Sequence, residues 1–189
     1  IKLTLEEKIN SIGPKSAIEV NWLETIIAYL DETIKESRRI SAQLRPSMLD
    51  DLGLLPTISW LCREFEQVHS NIQIERQLDI AEEEIPETVK VIVYRVLQES
   101  MNNIAKHSGA TQVLLQLAKN DSRIEFKVAD NGCGFDTDKI FGGSNALSGY
   151  GVSGMRDRTE LGAGTFEISS EKGKGTTVRV SLHCSPDAR

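Results

Sequence analysis

Long apolar runs, cysteines, aromatic residues and surplus positive charge are all scarce in this chain, and each shortage closes off a class of protein. No apolar stretch reaches the roughly 18 residues that a membrane-spanning helix requires, and no secretory signal pattern opens the sequence. The three cysteines, Cys62, Cys133 and Cys184, are far apart. That excludes a disulfide framework and any Cys-x-x-Cys metal site, and it points to a cytoplasmic setting. With 22 Lys+Arg against 28 Asp+Glu the net charge is −6. Binders of the nucleic-acid backbone concentrate Lys and Arg instead, so no direct nucleic-acid contact is expected. Aromatics make up only 5% of the chain, yet 39% is apolar, enough for a packed core and far from a disordered composition. At about 150 residues per domain, 189 residues amount to one domain plus an accessory element. The first residue is Ile1 rather than Met, which suggests a piece of a longer protein whose membrane anchor, if any, lies elsewhere.

From Ile18 to about Arg45 the residues Val20, Leu23, Ile27, Leu30, Ile34, Ser37, Ser41 and Leu44 recur at steps of three and four. This is a coiled-coil-like stripe that needs a partner helix, and residues 1–12 read as the end of one. Pro46 interrupts the long helix, Asp50-Asp51 can cap a second one, and an amphipathic stretch runs from Leu52 to Val68. Residues 72–78 alternate as a strand, Glu82-Glu83-Glu84 reads as a solvated acidic loop, and 87–107 carries a helical apolar face. Strands are expected at 112–119 and 123–129 around a turn at Asn120-Asp121. A short helix over 152–161 and closing strands at 165–170 and 176–182 complete the pattern.

Three polar clusters carry chemistry. On the helix, Glu99, Asn103, Lys106 and His107 place a carboxylate, a carboxamide and a cation on one face. Glu99 could orient or deprotonate a nucleophile, the Asn103 oxygen could ligate Mg²⁺, and Lys106 could meet phosphate; an ordinary polar face is equally compatible. Strand 123–129 runs into Asp130-Asn131-Gly132-Cys133-Gly134-Phe135. Here a carboxylate at a strand end could accept the amine proton of adenine, and glycines admit a flat ligand. Gly149-Tyr150-Gly151-Val152-Ser153-Gly154-Met155-Arg156 opens a helix, whose free amides suit phosphate. It comes after a loop rather than a strand, and no acidic residue ends a second βαβ strand, so a dinucleotide fingerprint does not fit.

In this order the motifs resemble the ATP-binding domain of sensor histidine kinases, in the superfamily shared with gyrase B, Hsp90 and MutL. QESMNNIAKHS is similar to the N box, DNGCGF to the first glycine box, GYGVSGMRDR to the second, and Gly173-Lys174-Gly175-Thr176-Thr177 to the last. ESRRISAQLRPSMLDDLGLL resembles the end of the dimerisation hairpin of the nitrate and sugar-phosphate sensor subfamily. The resemblance implies an α+β chain: a helical hairpin remnant over 1–50, a linking helix over 51–70, and a catalytic domain over 71–185 with a short tail. That domain would be a two-layer sandwich with a mixed sheet and helices on one face.

The same resemblance implies roles. Glu99 would lie near the attacking group, Asn103 would hold Mg²⁺, and Lys106 and His107 would contact phosphates. Asp130 would read adenine with Gly132 and Gly134 making room. Residues 136–148 would form a mobile lid, with Gly149, Gly151, Val152, Gly154, Met155 and Arg156 coming after it and Thr176 close to the base. Implied partners are ATP, Mg²⁺, a response-regulator receiver domain and a second copy of the parent protein. The acceptor histidine is missing: His69, His107 and His183 each lack the position and the following acidic residue, so the acceptor is expected outside this chain. Two alternatives are a scaffold with a vestigial nucleotide site, and a serine kinase or gyrase-type ATPase of the same superfamily.

Overall fold

A computed structural model of the chain describes residues 47–137 and 150–184. The expected hairpin stripe, most of the lid, Gly149 and the tail lie outside these residues. The chain divides into two units, Ile1–Ser47 and Met48–Arg189, and the sheet with its covering helices belongs to the second. The elements are α1 (Ser47–Leu52), α2 (Leu54–Val68), β1 (Gln73–Asp79), a 3-10 turn (Glu82–Glu84), α3 (Glu87–Asn103) and a π-helical turn (Ile104–Ser108). Then come β2 (Gln112–Asn120), β3 (Arg123–Asp130), α4 (Tyr150–Leu161), β4 (Thr165–Glu171) and β5 (Gly175–His183). Among the described residues no helix is long and apolar enough to cross a membrane.

The five strands form one mixed sheet in the order β1-β2-β3-β5-β4, with β1 parallel to β2 and every other pair antiparallel. Alternation along the strands sends Val113, Leu115 and Leu117 to one face, joined by Ile124, Phe126 and Val128 and by Val178, Val180 and Leu182. All nine are buried beneath the helices. The opposite face is polar: the Lys127 ammonium donates to Gln116 Oε1 at 3.1 Å, and the Arg123 guanidinium donates to Ser181 Oγ at 2.6 Å. This is the expected two-layer sandwich with helices on one side.

Each helix seals the sheet through a stripe. In α3 Val89, Val93, Val96, Leu97, Ser100 and Met101 are buried, and in α2 Leu54, Ile58 and Cys62 recur at steps of four. Burial pushes the Cys62 thiol up to about 11, which makes it a packing residue rather than a nucleophile.

Three expectations are corrected, that for the acidic run in part. Asp50 and Asp51 are not the cap of α2, because they lie inside α1; the chain breaks at Gly53, whose φ of 89° is a left-handed conformation that favours glycine. The cap comes from the acidic run instead. Glu82 accepts hydrogen bonds from the Leu54 and Leu55 amides, both at 2.8 Å, and meets the Lys90 ammonium of α3 at 3.0 Å. Glu84 pairs with Lys119 of β2 at 2.7 Å. Glu82 is therefore a clasp between α2 and α3, whereas Glu83 and Glu84 are exposed, as a solvated acidic run would be. The β2–β3 turn is shifted by one residue, since Asn120 pairs with Arg123 and Asp121-Ser122 make the corner, with Asp121 at φ 53°.

Candidate functional site

A cavity of about 470 Å³ opens between the sheet, α3 and the start of α4. That volume falls in the range of small-ligand sites. Its apolar wall is a cross-strand row: Val128 pairs with Val178, which pairs with Ile168. One step nearer the strand ends stands a polar row in which Asp130 pairs with Thr176 and Thr176 with Ser170. Side chains two residues apart on a strand share a face, so Asp130 and Thr176 emerge beside the apolar row.

Asp130 is half-buried, and burial raises its carboxyl above the ordinary aspartate value, an effect opposed by the amides of Gly132 and Thr176. The Gly132 amide donates to Asp130 Oδ1 at 2.8 Å. Gly132 itself lies behind the cavity wall, where a Cβ would meet the Ser108 carbonyl at 2.5 Å. Asn131 clamps the same loop to β2, its carbonyl oxygen accepting from the Thr111 and Gln112 amides at 2.9 and 3.0 Å.

The α3 wall supplies Glu99, Asn103, Lys106 and His107, all lining the cavity as the spacing predicts. The helix widens into a π turn over the last of these, a feature common where side chains must be aimed at a ligand. Ser108 closes that turn by donating to the Ile104 carbonyl at 2.8 Å, and Gly109 ends it at φ 60°. Among the described residues the side chains of Glu99, Asn103 and Lys106 have no hydrogen-bond or ion-pair partner. Free oxygen and ammonium groups on one wall are what a hydrated cation with phosphates needs, since Mg²⁺ takes one or two protein oxygens and leaves the rest to phosphate and water.

The first turn of α4 closes the cavity with Gly151, Val152 and Met155. A Cβ on Gly151 would meet the Glu99 carboxylate, so a side chain there would have to displace Glu99 from the cavity wall. The Ser100 hydroxyl reaches Met155 Sδ at 3.7 Å and holds the two helices together.

Gly134 and Thr176 also line the cavity, whereas Gly154 and Arg156 do not. Gly154 gives its carbonyl to the Arg158 guanidinium at 3.0 Å, and Arg156 lies 5.9 Å from the Phe166 ring centroid, toward β4. Phe135 belongs to DNGCGF without a role expected of it, and Val128, Val178 and Ile168 are lining residues outside the motifs. The strand alternation counted back from Asp130 and forward from Thr176 would have found the two valines. Cys133 lines the cavity beside the His107 carbonyl, with Sγ at 3.2 Å. His69 packs against Phe65 with ring centroids 4.5 Å apart, and neither it nor His183 reaches the cavity.

The histidine kinase-, DNA gyrase B- and HSP90-like ATPase family matches residues 88–186. Similar proteins include the sensor histidine kinase MctS of Rhizobium johnstonii, 36% identical over 81% of this chain and 32% of that protein. The histidine-protein kinase/phosphatase UhpB of Salmonella typhimurium is 39% identical over 77% of this chain and 27% of its own length. The sensor histidine kinase LiaS of Bacillus subtilis is 31% identical over 97% of this chain and 48% of its own. The chain thus spans less than half the length of these relatives. Among solved structures, the histidine kinase domain of the Erythrobacter litoralis EL346 blue-light activated histidine kinase has a TM-score of 0.62 at 16% identity, covering 97% of this chain and 92% of that one. The mixed sheet, the cavity at its strand ends and the match over 88–186 make this chain a member of the histidine kinase-, DNA gyrase B- and HSP90-like ATPase family.

Proposed function

We propose that this chain is the ATP-binding catalytic portion of a sensor histidine kinase, acting on a histidine supplied by another segment or chain and feeding a response-regulator aspartate. The observation that carries the reading is one cavity with two unlike regions. A half-buried carboxylate, Asp130, stands beside the apolar Val128–Val178–Ile168 row, and Glu99, Asn103, Lys106 and His107 stand on the α3 wall. The first region suits an adenine ring with its amine, the second a charged phosphate chain.

In the proposed reaction a nitrogen of the acceptor imidazole attacks the γ-phosphorus. A P–N bond forms as the bond to the β–γ bridging oxygen breaks, and ADP leaves with that oxygen. Glu99 orients the attacking ring or takes its proton, and Lys106 and His107 hold the phosphates. Asn103 Oδ1 is the side-chain oxygen suited to Mg²⁺, which when bound neutralises phosphate charge. Catalysis of this kind is mainly positioning and charge compensation. Residues 1–50 supply the dimer contact of the parent protein, and the receiver domain of a response regulator takes the phosphoryl group.

The test is to incubate the chain with Mg-ATP and a separate segment carrying the acceptor histidine of a related kinase. An acid-labile, base-stable phosphoryl linkage on that segment is the expected product. No transfer at any Mg-ATP concentration would reject the kinase reading, and an acid-stable linkage would assign the chain to a serine-directed chemistry.

A further inference from the structure

Ser170 is absent from the cavity wall, yet its hydroxyl joins three parts of the site. Its Oγ lies 2.9 Å from the Phe135 amide nitrogen, 3.0 Å from the Gly175 carbonyl oxygen and 2.9 Å from Thr176 Oγ1. Phe135 and Thr176 both line the cavity.

Counting protons settles the polarity of these contacts. A serine hydroxyl has one proton to give and two lone pairs to receive. The Phe135 amide can only donate, and the Gly175 carbonyl can only accept. If Ser170 gives its proton to Thr176, Ser170 Oγ and the Gly175 oxygen face each other at 3.0 Å with no proton between them. If Ser170 gives it to Gly175, the Phe135 amide fills one lone pair and the Thr176 hydroxyl fills the other. Three contacts then have three protons, and Ser170 is fully used.

We infer that Ser170 is a positioning residue that commits the Thr176 proton, so that Thr176 and its strand partner Asp130 present an acceptor-only edge to the base. The inference rests on the reading of the cavity as an ATP site. In direct contact an acceptor-only edge matches the 6-amino group of adenine, which offers protons. It opposes a 6-oxo purine, which offers lone pairs at the same position. Ser170 thus serves base selection without touching the base.

Calorimetric titration of the 189-residue chain with Mg-ATP and with Mg-ITP tests this. The wild type should prefer ATP. Ser170→Ala frees the Thr176 proton to donate, and the ATP-over-ITP ratio should fall roughly five- to tenfold, the worth of one hydrogen bond. Ser170→Thr keeps a hydroxyl and should keep the ratio within about twofold. A merely structural serine would weaken both nucleotides together, so an unchanged ratio in Ser170→Ala overturns the inference, as does a wild type without preference. If Ser170→Ala does not fold, Thr176→Val reads the same polarity. Loss of an acceptor should weaken ATP more than ITP, and equal or opposite losses reject it. A wild type that binds neither nucleotide removes the nucleotide reading itself, an outcome distinct from binding with an unaltered ratio.

Discussion

The two ends of α3 carry similar numbers of charged and polar side chains and use them in opposite ways. At the first turn, Lys90 is nearly buried between Glu82 and Glu87, at 3.0 and 2.8 Å. Glu82 spends its remaining capacity on the α2 amides. At the last turns, Glu99, Asn103 and Lys106 line a cavity with no partner of their own among the described residues. Satisfied charge at one end fastens the helix to α2. Unsatisfied charge at the other leaves groups whose hydration a ligand can replace. Anchor and site are thereby separated along one helix.

Substitutions at the two ends should therefore fail differently. The largest effect is expected for Asn103→Ala. Phosphoryl transfer from Mg-ATP should fall by roughly a hundredfold or more, while the thermal unfolding midpoint stays within error of wild type. A parallel drop in the midpoint would mean that Asn103 belongs to the anchor.

Asp130→Asn comes next, with ATP affinity reduced roughly ten- to a hundredfold through the loss of a charged hydrogen bond. Its stability should hold or rise, because burial places the Asp130 carboxyl above its unfolded value. A raised carboxyl binds its proton more tightly in the folded state, so its contribution to stability is present below the ordinary aspartate range and is lost as pH rises through the folded value. Nucleotide affinity runs the other way, growing as the carboxylate ionises. Urea denaturation and ATP titrations across the acid range should show these opposite slopes, and Asp130→Asn should flatten both.

At the anchor end, Glu82→Ala removes the cap of α2 and one partner of Lys90, and should cost about 1–2 kcal/mol in chemical denaturation. The ATP affinity of the folded protein should not change; a loss of affinity would reveal coupling between the clasp and the cavity. The smallest effect belongs to Lys119→Ala. Its partner Glu84 is held below the ordinary carboxylate range by the hydrogen bond from Lys119, but both groups are in solvent. Exposed pairs contribute little, so no shift of the unfolding midpoint is expected.

Much of this was readable from the chain. Periodicity marked α2 and α3, alternation marked β1, β-rich runs between turn signals marked the other four strands, and the acid, amide and cation spacing from Glu99 to His107 forecast a shared helix face because 3.6 residues per turn dictates it. Motif order pointed to the family. What periodicity cannot carry is which distant group meets which. Glu82 reads as one acid among three, and nothing local says that it reaches back 28 residues to the Leu54 amide. Ser170 likewise reads as a strand serine until β4 and β5 pair and set it beside Thr176 and Phe135.

The sequence by itself therefore determined the elements, the family and the chemical types available to the site, since these follow from local pattern and residue identity. The tertiary structure alone decided which charges are satisfied and which remain open, where the apolar wall of the cavity runs, and which way the Thr176 proton points. Those are properties of hydrogen-bond partners brought together across the sheet, and a donor's use is known only when every neighbour competing for it is in place.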